Sequence, residues 1–183
     1  MVISVFLIPV NANSTESSTS LTVVYVNSIG TVSATDTRTA YKTVQKAVDA
    51  LNGADGYVVV TNTTQDTAVG GSTITVTGGN VVITSVDPTD GTDYRTEENG
   101  AAFMYRNGRL SLYAKNGSTL TLDNLNDIKK NGSDMDVREG TIVFGSGLLT
   151  KHNTSNHVRM LVSGGTTTAP VDVDITYATP EST

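Results

Sequence analysis

Gly117-Ser118-Thr119-Leu120-Thr121-Leu122-Asp123-Asn124-Leu125-Asn126 sets the reading of the whole chain. Side chains alternate faces along an extended segment, so Leu120 and Leu122 share one side while Thr119 and Thr121 share the other. The pair Asn116-Gly117 leads into Thr119–Leu122 and Asp123-Asn124 follows it, residue types that take the positive φ a tight corner requires. The unit recurs in Thr73-Ile74-Thr75-Val76, Leu110-Ser111-Leu112-Tyr113 and Ile142-Val143-Phe144. Corner signals lie between the units at Gly70-Gly71, Gly78-Gly79, Asp90-Gly91, Asn99-Gly100, Asn107-Gly108, Asn131-Gly132 and Gly164-Gly165. Strands are expected at Leu21–Asn27, Tyr57–Thr61, Ser72–Thr77, Asn80–Val86, Ala102–Arg106, Arg109–Ala114, Thr119–Leu122, Thr141–Phe144, Leu148–Lys151 and Val158–Val162. Short strands with regular corners suit a sandwich, a barrel or a solenoid. A sandwich core relies on large aromatics, whereas this chain has no Trp and only 5% aromatic residues. A narrow parallel coil with aliphatic stacks fits better.

One segment changes period. In Tyr41-Lys42-Thr43-Val44-Gln45-Lys46-Ala47-Val48-Asp49-Ala50-Leu51-Asn52-Gly53, the apolar Val44, Ala47, Val48 and Leu51 make a helical stripe. Thr43 is the expected N-cap, and Gly53 or Asn52 the left-handed stop. The helix is expected over about residues 43–52.

The chain has 183 residues, of which 30 are Thr, 16 Ser and 14 Asn, with no Cys and a net charge of −6. The length suits one domain of ordinary size. Missing Cys excludes disulfides, thiol chemistry and Cys-ligated zinc. The acidic balance and the lack of a basic cluster denser than Lys129-Lys130 make nucleic acid a poor partner. Val2–Val10 is apolar but far shorter than the roughly 20 residues of a membrane-spanning helix. With the small-residue pattern Val10-Asn11-Ala12 after it, residues 1–12 read as a signal peptide without a basic start. Residues 13–20 then read as a Ser/Thr linker, 21–163 as the domain, and 164–183 as linker and C-terminal strand or tail, with Val171–Tyr177 alternating as a strand would.

Two segments carry a family resemblance. Tyr41–Leu51 followed by Asp55-Gly56-Tyr57-Val58-Val59-Val60 resembles the opening of right-handed parallel β-helix proteins of the pectin-lyase-like superfamily. Val81–Asp87, Gly91–Arg95 and Gly117–Asn126 are similar to rungs of large bacterial cell-surface, adhesin-like proteins. The resemblance runs from Leu21 to Val162. It implies an all-β fold, a short right-handed parallel β-helix with one N-terminal amphipathic helix plugging its end. It also implies that Asn124 hydrogen-bonds the bend of a corner. At some 20–25 residues per coil, Tyr57 to Val162 makes about four to five rungs. An uncapped C-terminal coil would leave an edge open to self-association.

Catalytic sets of that superfamily do not occur here: there is no Asp-Asp pair, no Gly-His-Gly and no Arg-x-Lys. Asp87, Asp90 and Asp93, and again Asp134, Asp136 and Glu139, group oxygen ligands that could hold Ca²⁺, although solvated turns are the expectation for both. His152 and His157 read as a surface loop, and Asn13, Asn62, Asn116, Asn131 and Asn153 begin sequons. Tyr57, Tyr105 and Tyr113 would make a sugar-stacking row if rungs align them, against the plainer reading that they pack in the coil or under loops. The expected protein is a secreted or cell-surface, non-catalytic display element without a cofactor, with polysaccharide or host glycan as candidate partner. The alternatives are a minimal polysaccharide lyase or hydrolase, and a subunit whose coils stack end to end.

Overall fold

The computed structural model describes residues 21–62, 73–95, 102–103, 110–128, 134–145, 149–151, 159–162 and 164–168. The expected signal and linker segments at 1–20, Tyr105, His152, His157 and the expected strand at Val171–Tyr177 lie outside them. Among the described residues, fourteen strands and one helix follow in the order β1 (Val23–Asn27), β2 (Ala40–Tyr41), α1 (Val44–Ala50), β3 (Gly56–Asn62), β4 (Thr73–Val76), β5 (Asn80–Thr84), β6 (Ala102–Phe103), β7 (Leu110–Ala114), β8 (Thr119–Leu122), β9 (Asn126–Ile128), β10 (Asp134–Glu139), β11 (Thr141–Phe144), β12 (Leu149–Lys151), β13 (Arg159–Val162) and β14 (Thr166–Thr168).

The strands form three sheets, ordered β14-β11-β8-β5-β3-β1-β2, β13-β10-β7-β4 and β12-β9-β6. Every ladder between these strands is parallel. From β4 onward the chain deals its strands to the four-, seven- and three-stranded sheets in turn, so each pairs with the strand three places away. The protein is therefore built almost entirely from parallel sheets, with a single short helix among the described residues.

Parallel register puts like on like. Val81, Leu120 and Ile142 form one column, and Val58, Ile83, Leu122 and Phe144 the next. In the four-stranded sheet Ile74, Leu112 and Val137 align in the same way. All of these side chains are buried, and with α1 they form one continuous hydrophobic cluster. Burying each such side chain contributes about 1.5–3 kcal/mol. Thr119, Thr121, Thr141 and Val143 alternate with them on the half-buried outer side.

Helix α1 is shorter than its periodicity suggests. Thr43 Oγ1 accepts from Lys46 N at 3.3 Å, and the helix gives way at Leu51, after which Asn52 and Gly53 take φ of 51° and 78°. Its buried face is Val44, Ala47 and Val48. Gln45 does a second job on the other face. Its amide donates to Thr75 O at 3.0 Å and accepts from Thr75 N at 2.8 Å, so a side chain takes the place of a neighbouring strand along the edge of β4. That helix-to-edge coupling is invisible in the apolar stripe.

Four strands fall outside the expected set. β2 and β9 are too short to stand out from their polar surroundings. β10 covers Asp134, Asp136 and Glu139, which were expected in a solvated turn. Val137 joins the core, and a 2.6 Å ion pair to Arg138 accompanies the complete burial of Asp136. β14 corrects the linker expected at 164–170. Thr has a high strand propensity, and Thr166–Thr168 pairs with Thr141–Val143 of β11. The corner before β11 needs its glycine: Gly140 sits at φ 74°, and a Cβ there would collide with the carbonyl oxygen of Ala114.

Candidate functional site

The outer face of the seven-stranded sheet is not polar everywhere. In β1, Val24 and Val26 turn to the main core, which leaves Val23 and Tyr25 on the other side. There Tyr25, Val32, Ala40 and Val59 make a second buried cluster, with Val23, Tyr57 and Tyr94 packed against it. Two loops cover this cluster, residues 28–39 bringing Val32 and residues 85–95 bringing Tyr94. The first loop is tied down by Asn27 and Thr61, both buried, whose Nδ2 and Oγ1 donate to Val32 O at 3.0 and 2.7 Å.

A polar network runs through the seam between the loops. Tyr25 Oη donates to Asp87 Oδ2 at 2.8 Å and accepts from Arg38 Nη1 at 2.7 Å. The other oxygen of Asp87 accepts from Thr89 N and Oγ1 at 2.9 and 2.6 Å. The Arg38 guanidinium lies 4.6 Å from the centre of the Tyr25 ring, 3.6 Å from Asp87 and 2.6 Å from Asp36. Burial, followed by the bond to Asp87 and its negative charge, pushes the Tyr25 phenol up to about 12. Burial works against ionised Asp87, but the bonds from Thr89 and Tyr25 and the nearby Arg38 outweigh it and hold its carboxyl below the usual range. The bonds from Arg38 lower Asp36 in the same sense.

Chemically this is a closed circuit. Tyr25 keeps its proton at neutral pH, both oxygens of Asp87 are engaged, and neither is placed to take a proton from a substrate. The expectation of a solvated turn is corrected for Asp87, which is 0% exposed; Asp90 and Asp93 are exposed. Among the described residues no group of three or more His, Cys, Asp or Glu is arranged to hold a metal ion. Glu139 is exposed on β10 while Asp136 is buried against Arg138.

Asn124 stands at the corner after β8 with φ of 47°. Its Nδ2 donates to Ser85 Oγ at 2.7 Å and to Asp93 Oδ2 at 3.0 Å. The Ser85 hydroxyl lies 2.8 Å from Asp93 Oδ1 and 2.6 Å from Asn124 O. One corner thus braces the 85–95 loop from the next strand along the sheet. Burial opposes the charge on Asp93, yet the bonds from Arg95 N, Asn124 and Ser85 lower its carboxyl.

Tyr57 and Tyr113 lie on different sheets, and Tyr105 lies outside the described residues. Tyr57 belongs to β3 of the seven-stranded sheet and Tyr113 to β7 of the four-stranded one. The Lys115 ammonium lies 5.4 Å from the Tyr113 ring centre. Tyr57 leans on the outer cluster and lines a groove of about 590 Å³ together with Leu21, Thr22, Asp55, Asn80 and Val82.

Sequence reasoning missed Tyr25, Arg38, Thr89 and Gln45. The Tyr25–Asp87 bond joins positions 62 apart, and no local spacing marks such a pair. The available signal was Tyr25 itself, a large polar-tipped ring on the side of β1 that alternation assigns to solvent. Comparison with protein-family models, with curated proteins and with solved structures finds no match.

Proposed function

We propose that the three sheets close on one another as the faces of a short right-handed parallel β-helix, and that the chain is a non-catalytic structural and display module of a secreted or cell-surface protein. The observation that carries this reading is the dealing of successive strands to three sheets in fixed rotation, with every ladder parallel. A chain that visits three faces in turn and meets itself one rung later produces that order. Stacked aliphatic columns, the helix over one end of the core and the Thr-rich outer positions agree with it.

The display role rests on the same arrangement. A rigid coil presents loops at fixed spacing, and the 28–39 and 85–95 loops are each pinned by buried polar contacts rather than left to move. Their polar network is saturated, which favours a scaffold over a reaction centre. No helix among the described residues is long and apolar enough to cross a membrane.

Three measurements test the proposal. An experimental structure should have the sheets joined around one core, and an antiparallel sandwich would refute the fold. Antibodies raised against residues 21–168 should label intact source cells or the medium. Labelling only after permeabilisation would refute the location. Incubation with polygalacturonate should release neither unsaturated nor reducing ends.

A further inference from the structure

The groove beside Tyr57 has the chemistry of a ligand site, and we propose that it binds a neutral hexose unit of an oligosaccharide. Its volume of about 590 Å³ lies within the roughly 300–1,000 Å³ of small-ligand sites, which pair an apolar lining with a few placed polar groups. Here the lining is Tyr57, Val82 and Leu21, and the polar groups are Asp55, Asn80 and Thr22. Asp55 Oδ1 accepts from Asn80 N at 2.7 Å and from Asn80 Nδ2 at 3.4 Å. That fixes the carboxylate at the rim and leaves its second oxygen to accept a ligand hydroxyl. A hexose has an apolar C–H face and a hydroxylated edge. Tyr57 offers a flat surface to the first, Asp55 and Asn80 hydrogen bonds to the second.

Two features narrow the choice. Asp55 and a net charge of −6 repel a uronate polymer, so the sugar is neutral. A peptide added as a further strand needs a free strand edge, and β1, β3 and β5 are each paired on both sides. The site lies between strands whose pairing is already described, so it stands or falls separately from the closure of the sheets.

The test titrates the full chain with cellohexaose, mannohexaose and galactohexaose, with hexagalacturonate as the acidic comparator, following tyrosine fluorescence. At least one neutral sugar should saturate. Tyr57→Ala should weaken it about tenfold, the worth of about 1.4 kcal/mol of stacking, while Tyr57→Phe and Tyr113→Ala bind as the parent does. Asp55→Asn leaves the outer cluster intact and should weaken binding about threefold, a loss on the scale of one neutral-for-charged hydrogen-bond exchange. No saturation by any neutral sugar, tighter binding of hexagalacturonate, or unchanged binding by Asp55→Asn would overturn the proposal.

Discussion

The inner and outer sides of the seven-stranded sheet hold the protein together by different means. Inside, Val81, Leu120 and Ile142 repeat one solution three times, each stacked on the same kind of residue in the next strand. Outside β1 and β3, a small apolar cluster depends on a circuit assembled from Tyr25, Arg38, Asp87 and Thr89, which lie in a strand and two separate loops. The inner side is periodic and redundant. The outer side occurs once, and removing one partner leaves another buried polar group without its bond.

The contrast should be widest at the core. Leu120→Ala is expected to cost about 2–5 kcal/mol in chemical denaturation. Thr121→Ala, its neighbour on the outer side, should stay within about 0.5 kcal/mol as other surface changes do. Equal losses would mean that the two sides are not distinguished by burial.

Next in size is the outer circuit. Asp87→Ala leaves the Tyr25 hydroxyl without its acceptor, while Arg38 keeps Asp36, and should cost about 1–3 kcal/mol. Trypsin should also cut at Arg38 and Arg95 faster, since both loops meet at this carboxylate. An unchanged cleavage rate would mean that the seam does not hold the loops.

Acid should act on the outer side selectively. Asp87 and Asp93 titrate below the ordinary carboxyl value in the folded protein. Their stabilisation is therefore complete above the unfolded value of about 3.9 and is lost as pH falls through the folded values. Asp87→Asn should flatten the acid limb of the stability curve. Alkali acts in the opposite sense through Tyr25: the contribution present below about 10 is lost as pH rises towards about 12. Tyr25→Phe should remove that limb and cost about 1 kcal/mol at neutral pH. An acid limb identical in the parent and Asp87→Asn would assign it to other carboxylates.

The smallest expected change is at the helix. Thr43→Ala removes the bond to Lys46 N and should cost about 0.5–1 kcal/mol by denaturant titration. Thr43→Ser should recover most of it, and a Ser variant as weak as Ala would mean that the bond contributes nothing.

These differences also explain what the sequence made legible. Leu-x-Leu units, the Val44–Leu51 stripe and the Asn116-Gly117 corner are local patterns, and the structure has strands, helix and a turn at those places. β10 was hidden because its carboxylates suggested a turn, and the ion pair with Arg138 that accompanies the burial of Asp136 is not marked by any local pattern. β14 was hidden because Gly-Gly-Thr-Thr-Thr has the composition of a linker until β11 lies beside it. The candidate site was read less well. Tyr57 and Asn124 were singled out, yet the alignment of Tyr57 with Tyr113 required both to lie on one sheet, and sequence spacing alone does not decide which face a strand joins. The Tyr25–Asp87 bond depends on two loops meeting over a sheet, a contact that periodicity does not encode.

The parallel stacking of β8 on β11 carries the whole account, and a cysteine pair experiment tests it most directly because the chain has no Cys of its own. Thr119 is opposite Thr141 and Thr121 opposite Val143. The double variants Thr119→Cys/Thr141→Cys and Thr121→Cys/Val143→Cys should both form disulfides on mild oxidation, to similar extents. An antiparallel pair that brings 119 to 141 would instead bring 121 to 139. Cross-linking of the first variant without the second would contradict the account.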